Sequence, residues 1–146
     1  MAIELYKNSL ITLEEAELYF DERYNSKEWF NLDKKEKETI LITASQKINS
    51  FDFIGSKLIQ NQPMEFPRNY ELPQDIKNAV CEEAIKLLKN NKNIHQQNQE
   101  NNISSINLGD SSVSYKFSKP IEHSLASNLA YQLIQKWIKK GYNLNS

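Results

Sequence analysis

The residue of this sequence best suited to polar recognition is Arg68, which follows Pro67 in the stretch 51–73. Phe66 precedes that proline and should have an extended backbone, while Gly55 offers a positive-φ position that ends a helix. A guanidinium on such a rigid segment can bind a carboxylate of an acidic partner surface or of its own fold. The aromatic residues of the stretch equally favour a loop that lines the core between two helices. Both interpretations stay open at this point.

Residues that could perform catalysis or hold a metal are few. Cys81 is the one cysteine, and His95 and His123 are the two histidines, too few for a Cys/His metal site. Cys81 falls beside the apolar stripe of a predicted helix, which favours a small buried side chain over a nucleophile. Three glycines allow no phosphate-binding loop, and no serine lies in a nucleophile elbow. The sequence therefore predicts no catalytic residues, no metal and no cofactor.

The overall composition indicates one domain spanning residues 1–146. Its 18 basic and 19 acidic residues give a net charge of -1, which argues against affinity that rests mainly on duplex phosphates. A lone cysteine fits a reducing compartment. No stretch approaches the roughly 18 apolar residues that span a bilayer, and the N-terminus lacks the features of a signal peptide. We expect a soluble, non-exported protein with no membrane partner.

The first predicted helix begins at a capping box formed by Thr12 and Glu15. Its apolar stripe consists of Leu13, Ala16, Phe20 and Tyr24. Trp29 follows in a short segment, where its bulk is predicted to fill the core, with an exposed position in an interaction loop as the alternative.

A second capping box, Asp33 with Glu36, begins a helix that should run to about Ser50. Its regular apolar spacing makes it the best candidate for the central helix of the fold. A third helix is predicted to start with Pro73 in its first turn and to reach about Lys89.

The segment 90–102 is rich in asparagine and glutamine and nearly devoid of apolar anchors. Such a composition buries too little surface to offset the entropy of ordering, so it predicts a mobile connection. Beyond it, a Gly109-Asp110 turn is followed by three apolar residues that alternate with polar ones: Val113, Tyr115 and Phe117. Strict alternation after a glycine-containing turn predicts a β-hairpin.

A last helix is predicted from about Ser124, with Gly141 as its C-terminal stop. Its inward-facing residues should be Leu125, Leu129, Leu133 and Trp137. The predicted fold class is therefore mainly α, a small bundle of about four helices with one β-hairpin inserted before the last helix.

Several short motifs occur along the chain in an order that resembles that of a known family. They are Tyr19-Phe20 and Arg23-Tyr24 before Trp29, Leu41-Ile42-Thr43-Ala44-Ser45, Phe53-Ile54-Gly55-Ser56-Lys57, Gln62-Pro63, Phe66-Pro67-Arg68, Leu72-Pro73, Ala79, Glu83-Ala84, and Leu108-Gly109-Asp110 with Val113-Ser114-Tyr115. This order, over residues 12–117, is similar to that of the tailed-bacteriophage head-tail connector proteins, also called head completion or adaptor proteins. Some of their relatives are described as DnaT-like single-stranded DNA-binding proteins.

The resemblance implies a structural virion protein of the phage neck. Such a protein forms a ring of about twelve copies beneath the portal, extends the channel through which double-stranded DNA passes, and joins the head to the tail. The implied partners are other copies of the chain, the portal protein and a tail or tail-adaptor protein. The residues predicted to lie at subunit or portal interfaces are Arg68, Phe66, Tyr70, Val113, Tyr115, Phe117 and Trp29.

The alternative function is a DnaT-like single-stranded nucleic-acid-binding protein. Base stacking requires exposed aromatic side chains beside lysine or arginine. The sequence places most aromatic residues on apolar stripes, and the mixed charges of 34–38 are typical of a solvated helix face. On sequence alone, these features favour the neck protein over the nucleic-acid-binding protein.

Overall fold

The computed structural model describes residues 2–99 and 123–139, with side chains placed for 2–91 and 123–139. The helices within these ranges are α1 (Leu13–Glu22), α2 (Lys27–Phe30), α3 (Lys34–Asn49), α4 (Gln74–Gln99) and α5 (Asn128–Ile134), with a 3₁₀ helix at Gln135–Trp137. The described residues form isolated β-bridges but no strands. The mainly helical fold is confirmed. The predicted hairpin with Val113, Tyr115 and Phe117 lies outside the described residues.

Helices α1 and α3 begin at the predicted capping boxes. The Thr12 hydroxyl accepts the Glu15 amide at 3.1 Å, and the Glu15 carboxylate accepts the Thr12 amide at 3.0 Å. The Asp33 carboxylate accepts a hydrogen bond from the Glu36 amide at 2.8 Å, and the Glu36 carboxylate accepts one from the Asp33 amide at 3.0 Å. Each box satisfies amides that have no partner inside their helix, an effect of about 1 kcal/mol. Both helix starts are therefore confirmed.

Helix α1 ends earlier than its apolar stripe predicts. Arg23 leaves the helical conformation at φ -99° and ψ 128°, and Asn25 adopts φ +65°. Ala16 and Phe20 are buried as expected, but Tyr24 is 94% exposed. The assignment of Tyr24 to the core-facing stripe is wrong, because that stripe exists only while the backbone stays helical.

The central helix is α4, not α3 as predicted. It contacts α1, α2, α3 and α5, and its buried face includes Ile76, Val80 and Ala84. It continues to Gln99 instead of ending near Lys89. The extension contains no glycine or proline to end it, and its one lysine and its glutamines are adequate helix formers. The mobility of the segment 90–102 stays a prediction.

Helix α5 is shorter than predicted and presents a different face. Ser127 caps it by accepting the Ala130 amide at 3.0 Å, so the helix proper starts at Asn128. Ala130 and Ile134 are fully buried, whereas Leu129 is 47% exposed. The expectation that Leu129 faces inward is wrong. The predicted stop at Gly141 lies outside the described residues.

A buried carboxylate docks α5 onto the α3–α4 pair. Glu83 of α4 is 0% exposed and accepts the backbone amides of Ala126 at 2.8 Å and Ser127 at 2.9 Å. The Lys47 ammonium of α3 lies 3.3 Å from the same carboxylate. A buried charge is tolerated only when it is paired and hydrogen-bonded, and Glu83 meets both conditions.

The stretch 51–73 packs as a core-lining loop between α3 and α4. Phe53, Met64 and Phe66 are buried in the same core as the helices. Gly55 has φ +82°, and a Cβ there would come within 2.4 Å of the Asn69 side chain. The predicted positive φ is confirmed, and both the conformation and the close approach exclude larger residues. Gly55 does not end a helix, because α3 already ends at Asn49. No helix within 2–99 or 123–139 is long and apolar enough to cross a membrane.

Candidate nucleic-acid interface

The structure places the residues predicted for interfaces mostly in the interior. Trp29 and Phe66 are 0% exposed, Arg68 is 7% exposed, and Tyr70 is partly buried. A second molecule could touch Trp29 or Phe66 only after the core rearranged. The other three predicted interface residues, Val113, Tyr115 and Phe117, lie outside the described part of the chain.

The Arg68 guanidinium points into its own loop. It donates to the backbone carbonyls of Phe53 at 3.1 Å, Ile54 at 2.9 Å and Gly55 at 2.8 Å. It also donates to the Glu65 carboxylate at 2.8 Å and to the Glu65 carbonyl at 3.1 Å. These bonds favour the internal pairing of Arg68 with a carboxylate over presentation of its charge to a partner.

Trp29 fills the core, which is what one of the two interpretations of the sequence predicted. Its ring stacks on Phe20 with centroids 4.5 Å apart, and its indole nitrogen donates to the Glu17 carboxylate at 2.8 Å. A buried indole N–H needs such a partner. Trp29 therefore supports the fold and leaves no exposed face for a base.

Cys81 is fully buried, and burial raises the pKa of its thiol well above the ordinary range. A thiol in this environment stays protonated at neutral pH and acts as a small apolar side chain. Among the described side chains, no group of three or more histidine, cysteine, aspartate or glutamate residues is placed to hold a metal ion.

Two exposed aromatic residues lie at the junction of α1 and α2. Tyr24 is 94% exposed and Phe30 is 49% exposed, whereas the other described aromatic residues are buried or partly buried. Tyr24 was assigned to the core because its spacing extends the apolar stripe of α1. The Asn25-Ser26 pair, which predicts the end of the helix immediately after Tyr24, is the signal against that assignment.

Arg23 braces the turn that carries Tyr24. Its guanidinium donates to the carbonyls of Tyr24 at 3.0 Å and Asn25 at 2.9 Å, while its Nε and Nη2 bind the Glu82 carboxylate at 2.7 and 3.1 Å. The hydrogen bond to Glu82 raises the pKa of Arg23, and burial followed by the same carboxylate raises the pKa of Tyr19. Glu82 is itself buried, so it anchors this turn to α4.

Lysines surround the two exposed rings. The Lys89 ammonium of α4 donates to the Asn25 carbonyl at 3.3 Å, next to Tyr24. The Lys37 ammonium lies 5.6 Å from the centroid of the Phe30 ring, within cation–π range. Lys27 is exposed on α2 and lies between Tyr24 and Phe30 in sequence. We call Tyr24, Lys27, Phe30, Lys37 and Lys89 the Tyr24–Phe30 surface.

This surface has the residue types that bind single strands. Between residues 23 and 37 the chain has five basic and three acidic residues. The acidic Asp21 and Glu22 precede Tyr24, so the surroundings are mixed in sign. Exposed aromatic faces beside lysines can stack on bases while the lysines attract phosphates.

A comparison with protein families matched residues 4–145 to the family described as "Putative DnaT-like ssDNA binding protein". Comparisons with curated proteins and with solved structures gave no match. The family match contradicts the prediction of a phage neck structural protein and fits the alternative that sequence analysis had placed second.

Proposed function

Since the chain belongs to the family of DnaT-like single-stranded DNA-binding proteins, we propose that it binds single-stranded DNA through the Tyr24–Phe30 surface. The observation that carries this assignment is the 94% exposure of Tyr24 on a turn braced by Arg23 and Lys89. An aromatic ring left in water on a held backbone loses little entropy when a base stacks on it.

Tyr24 and Phe30 would each offer a ring face to a base. Stacking on aromatic side chains contributes about 1–3 kcal/mol per base and tolerates any base, because every base has a π-face. Such binding requires bases that are not already paired and stacked in a duplex. Single strands should therefore bind better than duplexes of the same length.

The lysines of the surface would bind phosphates. Lys27 is exposed, and no ion pair links it to the described residues. The Lys37 ammonium forms an ion pair with Glu17, whose carboxylate oxygens both lie 3.2 Å from it. Lys37 should therefore contribute less positive charge to phosphate binding. Arg23 is committed to Glu82 and positions the turn instead of binding DNA. With so few free cations, we expect affinity near the non-specific range of about 10⁻⁴ to 10⁻⁶ M at physiological salt.

The first test is binding of a labelled single-stranded oligonucleotide of about 12 nucleotides, measured by fluorescence anisotropy. Tyr24→Ala should weaken binding by about 1–3 kcal/mol, since it removes one stacking face. Tyr24→Phe should retain most of the affinity, because it keeps the ring. Leu18→Ala is the matched control, since Leu18 is 67% exposed on α1 and is not aromatic.

The stability of Tyr24→Ala should stay within about 0.5 kcal/mol of the unsubstituted protein, because the side chain makes few contacts. Equal affinity of Tyr24→Ala and Leu18→Ala would exclude Tyr24 from the interface. Absence of oligonucleotide binding by the unsubstituted protein would overturn the proposed function itself.

A further inference from the structure

A second exposed apolar feature lies at the apex of the loop 54–62. Leu58 is 61% exposed and Ile59 is 62% exposed, and the adjoining Ile54 is 38% exposed. Lys57, the one charged residue of the loop, lies 3.8 Å from the Glu65 carboxylate. The apex therefore presents aliphatic side chains with little free charge, which suits contact with protein more than with phosphate.

The apex is held in place by hydrogen bonds. The amide of Leu58 donates to the Pro67 carbonyl at 3.2 Å, and the amide of Ile59 donates to the Gln62 side chain at 3.0 Å. Arg68 ties the base of the loop together through three carbonyls. A surface held before contact loses less entropy on binding than a flexible one.

An apolar groove of about 400 Å³ lies between α3 and α4. Leu32, Ile40 and Leu88 supply its apolar walls, and Lys35 and Thr39 lie on its polar rim. The groove begins two residues after Phe30, so it adjoins the Tyr24–Phe30 surface.

The apex and the groove belong to opposite ends of α3. The loop is attached at the C-terminal end of the helix, where the Glu65 amide donates to the Asn49 side chain at 2.7 Å. Nine residues of helix separate Ile40 from Asn49, which is about 14 Å along the axis. A protruding apolar feature at one end and an apolar groove at the other are the two parts of a head-to-tail contact between identical chains.

We infer that Leu58 and Ile59 of one copy dock in the α3–α4 groove of a second copy bound next to it on the same DNA strand. This inference rests on the proposed function, because the strand brings the two copies together. Its consequence is cooperative binding, in which a bound copy helps the next one to bind.

The size of the apex explains why DNA is needed. A stable interface uses about 20–30 residues from each partner, and the apex offers three apolar ones. Two free copies should therefore not associate. Copies held side by side on one strand meet at a high effective concentration, and a weak contact then raises affinity by about 10²-fold.

The test compares two single-stranded oligonucleotides, one long enough for one copy and one long enough for two. The double substitution Leu58→Ser with Ile59→Ser should leave binding to the short oligonucleotide unchanged and remove the roughly 10²-fold tighter binding of the second copy to the long one. Leu129→Ser is the matched control, since Leu129 is an exposed leucine on another element.

A groove variant distinguishes this head-to-tail contact from one in which two apexes meet. Thr39→Gln adds an uncharged side chain at the rim and should also remove cooperativity. A mixture of the apex variant and the groove variant should recover it on the long oligonucleotide, because an intact apex can then meet an intact groove. Two apexes in contact would instead leave Thr39→Gln cooperative on its own, because that variant keeps its apex.

The outcomes separate the inference from the function on which it rests. Binding of the short oligonucleotide without cooperativity on the long one would overturn the inference and keep the proposed function. Cooperativity that survives in either variant would also overturn it, as would a groove already covered by residues 100–122 of the same chain. Sedimentation should show the free protein as a monomer, and a dimer formed without DNA would contradict the role given to the strand.

Discussion

Arg68 has a structural role that its position after Pro67 did not reveal. Its guanidinium is nearly buried and is satisfied by one carboxylate and four backbone carbonyls of its own loop. Removing one partner of such a group leaves the others unpaired in the interior, which is more costly than losing an exposed ion pair.

Arg68→Ala should therefore lower the free energy of unfolding by about 3–5 kcal/mol, as measured by urea denaturation of the isolated chain. Arg68→Lys should also be destabilising, because one ammonium cannot reproduce the planar fork of bonds. Lys57→Ala, at the partly exposed neighbouring pair, should change stability by about 0.5 kcal/mol or less. Normal stability of Arg68→Ala would refute the buried network.

Glu15 links the start of α1 to α4, and its ionisation makes stability depend on pH. Burial alone would raise its pKa, but the hydrogen bond from Lys77 at 2.6 Å and the bonds from Thr12 outweigh burial and lower it below 4.5. A carboxylate whose pKa is lowered on folding stabilises the fold above its unfolded pKa. That contribution is lost as the pH falls below 4.5 through the lower folded value.

Glu15→Gln retains a side chain that can complete the capping box but removes the charge. At pH 7 we expect the variant to be about 0.2–1 kcal/mol less stable than the unsubstituted protein, since the pair is partly exposed. The difference should shrink towards pH 3, as followed by urea denaturation at each pH. A difference that grows on acidification would show the opposite linkage.

At the scale of elements, α4 holds the fold together through two consecutive buried glutamates. Glu82 binds Arg23 and Tyr19 of the α1 region, whereas Glu83 binds Lys47 of α3 and the two amides before α5. Adjacent residues on a helix point about 100° apart, so one short segment of α4 can reach two sides of the bundle.

Glu83→Ala should undock α5, because the amides of Ala126 and Ser127 and the Lys47 ammonium lose their acceptor. We expect a loss of about 3–5 kcal/mol and faster hydrogen exchange across Asn128–Ile134 than across α3. Lys86→Ala, an exposed change on the same helix, is the control and should alter neither quantity. Unchanged protection of α5 in Glu83→Ala would show that apolar packing alone docks it.

At the scale of the whole molecule, a net charge of -1 limits how the proposed binding of DNA can work. The protein has no overall positive excess, so attraction to phosphates must be local and must compete with Asp21 and Glu22 beside Tyr24. Stacking should then supply a large share of the affinity, which also favours single strands over duplexes.

The salt dependence of oligonucleotide binding measures that local attraction. With about three phosphate contacts the slope of log K against log salt should be near -2, since single strands give about -0.7 per contact. Lys27→Ala should reduce the slope by about 0.7. Lys136→Ala should leave it unchanged, because Lys136 lies 2.9 Å from Asp75 in the first turn of α4, whereas Lys89 lies fourteen residues further along that helix. A slope near -2 that persists in Lys27→Ala would exclude Lys27 from the interface.

Local features of this protein were determined by the sequence alone. The capping boxes at Thr12 and Asp33 and the positive φ of Gly55 follow from residue types and short-range spacing. Such features depend on contacts within a few residues along the chain, where geometry is nearly independent of the rest of the fold.

Only the tertiary structure decided which polar and aromatic residues face inward. Tyr24 shares its spacing with the core residues of α1, yet a turn two residues beyond the helix leaves it in water. Glu83 has the sequence pattern of an ordinary charged residue, and the sequence left Arg68 open between a partner surface and its own fold, until distant backbone groups are brought around them. Burial depends on contacts between residues far apart in sequence, so the candidate DNA surface became visible only when the bundle had been assembled.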